Sequence, residues 1–300
     1  MLLVSSIEGD ILVLDLENKT LKPLLQVQRT WGMAVGDKRV YIFKGVPPEH
    51  PDNLNSTICS YVLSSDCTLV DEHIECEHLD AGIHQIRLYE SHLFVLDTNW
   101  QRILSFDIDD AGHVIPGTRR DIEPFPRALS YRYTNKAEDL REYRHINAIT
   151  YHKGKWYISC PFIMSLLHDP VKRYNTRFSN IAVLDESFKM VDDITLPHKG
   201  VHDLVFTSET EVWYLSFDFC LICFDIYNKK VVREVMLEVP PFGEYRWCRG
   251  LSYNGHVFVI GTSRFIQIVC AKTYTVLSVI PTPGYPCFIT QCEFGKDVNH

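Results

Sequence analysis

His202-Asp203-Leu204-Val205-Phe206, Glu211-Val212-Trp213-Tyr214-Leu215-Ser216, Cys220-Leu221-Ile222-Cys223-Phe224-Asp225 and Val231-Val232-Arg233-Glu234-Val235-Met236-Leu237 follow one another with short polar turns between them. Each run is short, rich in β-branched and aromatic residues and without a helical period, so each reads as a strand. The order inside the group is an inner run, a strongly apolar second run, a third that closes on an aspartate, and a more polar outer one. His84 to Tyr89, His92 to Asp97 and Arg102 to Asp107 repeat that order. Units opening at Trp31 and near Trp247-Cys248-Arg249-Gly250-Leu251 follow the same plan.

Inner strands beginning near residues 31, 84, 145, 202 and 248 are spaced by 53, 61, 57 and 46 residues, the range expected of propeller blades carrying loop insertions. A sixth blade is divided. Pro286 to Glu293 supplies its inner strand, while Leu2 to Ser5, Asp10 to Asp15 and Leu21 to Val27 supply the other three. The expectation is an all-β protein, a six-bladed β-propeller spanning 1–300 as one domain, its ring closed by pairing of N- and C-terminal strands in one blade. A β-sandwich or a pair of smaller barrels would explain the strands but not their fixed order.

The composition bounds the setting. A hydrophobic content of 46% suits a globular core, and the longest apolar stretches fall well short of the roughly 20 residues that span a bilayer. The start, Met1-Leu2-Leu3-Val4-Ser5-Ser6-Ile7-Glu8, lacks a basic leader segment and reads as a first strand. Ten cysteines are too sparse for a disulfide scaffold, so a soluble protein of the reducing cytoplasm is expected. Cys220 and Cys223, three apart in a strand, point to opposite faces and cannot chelate together. A formal net charge of -8 without a basic run argues against a nucleic-acid partner.

Three of the inner strands open on histidine: His84, His145 and His202. With 13 histidines in the chain, chance would fill three of six equivalent positions on the order of one time in a hundred. Three neutral imidazoles at the mouth of the channel could hold iron, zinc, manganese or copper and leave a coordination position open. Taken singly, each histidine is more readily explained as capping its strand by hydrogen bonding to neighbouring backbone. Arg249, at the equivalent place in the fifth blade, would aim a cation at the same cavity, with a fork suited to a carboxylate or phosphate. Asn147, two residues beyond His145, shares its strand face. Arg144 and Trp31 complete the expected ligand-binding set, and Asp203 is expected to turn away and pin a neighbouring strand. Insertions at 45–56, 122–144 and 162–179, carrying His50, Tyr131, Arg132, Tyr133 and His168, fall on the same rim, where function commonly sits. No Gly-rich phosphate loop, nucleophile elbow, His-Glu-x-x-His helix or paired Cys-x-x-Cys occurs.

Arg144-His145-Ile146-Asn147-Ala148-Ile149, then Val201-His202-Asp203-Leu204 with Val212-Trp213-Tyr214-Leu215, and Arg249-Gly250-Leu251-Ser252 with Val257-Phe258-Val259-Ile260-Gly261-Thr262-Ser263-Arg264 carry a resemblance. They are similar to the motifs of the propeller-like domain-of-unknown-function family 4915, most clearly from about residue 140 to 270. The family has Pro-His-Ser-Pro where this chain has Val201-His202-Asp203-Leu204. The resemblance implies a propeller and points to His145, His202 and Arg249 without implying a reaction. Two functions compete. One is a metal-dependent enzyme, hydrolytic or oxygen-dependent, acting on a small anionic molecule. The other is a non-catalytic binding module for a peptide, glycan or metabolite.

Overall fold

The computed structural model describes residues 1–46, 55–125, 143–161, 163–164, 179–239 and 248–291. It is a six-bladed β-propeller, each blade a four-stranded antiparallel sheet. The first blade runs Met33–Val35, Val40–Lys44, Ser56–Leu63 and Leu69–Leu79. The second runs Ile83–Tyr89, His92–Asp97, Arg102–Asp107 and Arg120–Ile122. The third is Ala148–His152, Lys155–Cys160, Ser179–Leu184 and Met190–Leu196. His202–Phe206, Glu211–Ser216, Cys220–Asp225 and Lys230–Met236 form the fourth. Cys248–Tyr253, Val257–Thr262, Phe265–Cys270 and Val276–Pro281 form the fifth. The sixth joins the two ends of the chain, Pro286–Gln291 pairing with Leu2–Ser6, followed by Asp10–Asp15 and Thr20–Gln26. Among the described residues no helix is long and apolar enough to cross a membrane.

The middle strands read as continuous apolar runs because both of their faces are buried. In the fourth blade Val212, Tyr214, Cys220, Ile222 and Phe224 pack toward the third blade, while Trp213, Leu215, Leu221 and Cys223 pack toward the fifth. The alternation of a strand thus feeds two interfaces instead of a core and a solvent face. Cys220 and Cys223 fall in different clusters as the spacing predicted, and the described cysteines are all free thiols.

Two inner strands begin later than the sequence suggested. Trp31 and His145 lie on the entering segments, ahead of strands that start at Met33 and Ala148. At His145 the chain is still turning, since the Ile146 N–H donates to the Arg144 carbonyl at 2.7 Å before Asn147 joins Ser159 of the neighbouring strand at 3.0 Å. The insertion residues His50, Tyr131, Arg132, Tyr133 and His168 lie outside the described residues, as does Trp247.

Candidate functional site at the channel mouth

Three inner strands carry a register irregularity where their site residues stand. The ladder shifts between Ile83 and Gln85, between His202 and Val205, and between Arg249 and Leu251. A bulge re-aims the side chains around it, and two of these bulges hold a residue in the left-handed region. Asp203 has φ 55° and Gly250 φ 78°. The two are locked together, because the Gly250 N–H donates to Asp203 Oδ2 at 2.9 Å across the blade boundary. Asp203 therefore pins the neighbouring strand, and Arg249 is carried on a backbone fixed from the preceding blade.

The result is a polar cluster contributed by several blades. Asn147 stands at its centre, with His84 Nδ1 2.5 Å from its Oδ1 and its Nδ2 2.5 Å from His202 Nδ1. An amide oxygen only accepts and an amide nitrogen only donates, so in this orientation His84 donates to Asn147 and Asn147 donates to His202. The Val201 carbonyl lies 3.1 Å from the same His202 nitrogen, and turning the amide over would reverse the direction of the relay. In either direction both Nδ1 atoms are committed to Asn147, and His202 Nε2 also lies 3.5 Å from Asn147 Nδ2. His145 sets its ring edge-on to His84, centroids 4.8 Å apart, and Phe217 does the same to His202 at 5.0 Å.

Trp31 stacks on His84 at 5.1 Å with ring planes 10° apart. Two guanidinium groups lie over the same indole, Arg249 at 5.2 Å and Arg29 at 4.8 Å from its centroid. Sequence reasoning missed Arg29, which stands two residues before Trp31 in an irregular connection with no blade pattern to mark it. A cavity of about 10 Å³, room for a single water, is lined by His84, Asn147, His202 and Arg249 among others. A channel of about 290 Å³ lies against the inner strands, and Gln85, Asp203 and Phe288 border both spaces.

The field at this point is positive. Burial first, then the charge of Arg249 and the neighbouring His145 and His84 rings, hold His202 well below its ordinary value, against a smaller opposing effect of the Val201 carbonyl. Burial pushes Asp203 up to about 6 despite the Gly250 N–H and Arg249. The expected ligand-binding residue Arg144 is placed differently from the rest: its guanidinium pairs with Asp193 at 2.8 Å and lies 5.1 Å from the Phe125 ring.

His84, His145 and His202 enter one cluster, yet Asn147 separates the first from the last. Among the described residues the set of three ligand-type side chains whose donor atoms all lie within 4.8 Å of one another is His73, Glu75 and His113. That set bridges the first and second blades at their periphery. Glu75 Oε1 receives His113 Nδ1 at 2.8 Å and Ser60 Oγ at 2.5 Å, with His73 Nδ1 at 3.2 Å, and Oε2 receives the Val114 N–H at 2.7 Å. Arg39 Nη1 reaches the far nitrogen of His113 at 3.4 Å. A guanidinium can only donate, so it favours the tautomer that gives its proton to Glu75 and sets a fixed cation where a metal's charge would be repelled. The cluster is a hydrogen-bonded clasp between blades.

No family model matches the chain, and neither does any curated protein. Solved structures match its fold. A chain of the nidogen/laminin complex aligns with TM-score 0.61 at 14% identity, covering 96% of each chain. A Bacteroides fragilis protein described as a candidate 6-phosphogluconolactonase aligns with TM-score 0.59 at 10% identity, covering 96% of each. The WD40 propeller domain of Doa1 aligns with TM-score 0.56 at 9% identity, over 95% of this chain and 79% of that one. At these identities the similarity is one of architecture.

Proposed function

We propose that the protein binds a small anionic molecule at the channel mouth, over the one-water cavity and not within it, anchored by Arg249 and oriented by His84 and His145, which are only partly buried. The observation that carries this reading is the convergence of Arg249, Arg29 and three imidazoles around one Trp31–His84 stack. The guanidinium charges of Arg249 and Arg29 over one indole attract an anion and resist a cation. The Trp31–His84 stack gives the site a rigid wall, so little ordering is needed on binding. Titration calorimetry with inorganic phosphate, gluconate and citrate tests it. Binding of at least one, weakened about tenfold or more by Arg249→Ala and less by Arg249→Lys, is expected. Failure of all three to bind, or an Arg249→Ala variant that binds as tightly, overturns the reading.

A metal-dependent reaction, hydrolytic or oxygen-dependent, is the second reading. It is favoured by a neutral His202 grouped through Asn147 with His84, whose ring meets that of His145 edge-on. It requires His84, His145 and His202 to close on iron, zinc, manganese or copper. Elemental mass spectrometry of purified protein separates the two, since near-stoichiometric metal lost in each histidine-to-alanine variant supports only the second. Membership of family 4915 is proposed alongside, on His145, His202 and Arg249.

A further inference from the structure

On the rim opposite the histidines, the second and third blades leave a groove of about 480 Å³. Its floor is aromatic. Trp156 is buried between Phe94 at 4.6 Å and Phe188 at 5.2 Å, and Tyr89 and Tyr151 meet at its edge with centroids 4.3 Å apart. Tyr89 ends the inner strand of one blade and Tyr151 stands one residue before the end of the next, so the blade-to-blade spacing sets the gap between their rings.

Two carboxylates stand at the same edge, Glu90 in the turn after Tyr89 and Glu186 in the turn before Phe188. The Tyr151 hydroxyl donates to Glu186 Oε1 at 2.8 Å, and that bond pushes the phenol up to about 12. Among the described residues neither glutamate has a cationic partner. Elsewhere Glu209, in a blade turn, pairs with Lys153 at 2.7 Å, and Asp192, in an outer strand, with Lys229 at 2.9 Å. The basic groups lining the groove are already matched: Arg120 bonds Asp107 at 2.6 Å, and His92 lies 3.3 Å from the same carboxylate.

We propose that this groove docks a lysine side chain presented by a partner polypeptide. An aromatic floor attracts a cation through the ring faces, and the carboxylates supply the opposite charge at the entrance. The groove is roomier than one lysine side chain requires, so residues flanking the lysine occupy the remainder, which favours a peptide over a free amine. The site does not depend on the channel mouth.

The test uses the full chain and the peptide Ala-Ala-Lys-Ala-Ala beside its acetyl-lysine counterpart, followed by calorimetry and by tryptophan fluorescence. The lysine peptide is expected to bind at least about tenfold more tightly than the acetylated one, and Glu90→Gln with Glu186→Gln to remove that difference. Both substitutions lie at the exposed edge, so the fold is retained, and circular dichroism verifies it. Equal binding of the two peptides, no binding of either, or a preference that survives the double substitution overturns the proposal.

Discussion

Asp97 shows how far a single residue can be displaced from its solution chemistry. It is fully buried, held by Arg102 Nε at 2.9 Å, and pushed up to about 7 by burial first and by the charge of Asp80 second. Between the ordinary carboxylate value and pH 7 the folded protein keeps a proton that the unfolded chain gives up. Stability therefore falls as pH rises through that window and levels off above it. Denaturant melts of wild type and Asp97→Asn from pH 4 to 8 are expected to diverge by more than about 1 kcal/mol across the window, the variant gaining relative to wild type. Parallel curves would show that Asp97 titrates normally. At this scale the sequence was readable in part. The two-residue period of a strand predicts that Asp203 turns away from the side that His202 faces. The bulges at His84, Asp203 and Gly250 left no mark, because each depends on the register against a second strand, and Arg29 lay in a segment without periodicity.

Among elements, the seam between the first and second blades has the clearest energetic signature. Burial raises Glu75, but hydrogen bonds from Ser60, the Val114 N–H and His113 outweigh it and hold the carboxyl below its ordinary value. That stabilisation is present above the ordinary glutamate range and is lost as pH falls through the lowered folded value. Glu75→Gln keeps the shape while losing the charge, and is expected to cost about 1–3 kcal/mol near neutrality. The difference from wild type should shrink on acidification. An unchanged denaturation midpoint would remove the clasp from the account. Nothing in the periodicity of Leu69 to Leu79 foretold this contact, since His113 belongs to a hairpin loop of the next blade. Blade order and the two-faced burial of the second and third strands, by contrast, followed from the apolar runs alone.

The ring as a whole was legible because its closing blade repeats the order of the others once the chain ends are joined. Leu2 to Ser5 with Pro286 to Glu293 was expected, and Leu2–Ser6 with Pro286–Gln291 is found. Each seam relies on its neighbours, so removing residues from Pro286 onward should do more than lose one strand. It would bare the edge of Leu2–Ser6 and leave Cys287 and Phe288 absent from the clusters they complete. The truncated chain is expected to melt at lower temperature throughout and to aggregate, which light scattering during a thermal ramp would show. A monomeric variant with wild-type melting would mean that the ring does not need its closure. Pairing Leu2 with Gln291 also sets a timetable for biosynthesis. At about 5–20 residues per second, the first strand waits roughly 15–60 s for its partner to be made. Through that interval the nascent protein carries an unsatisfied β edge, and it is then, rather than after release, that chaperones have most to protect.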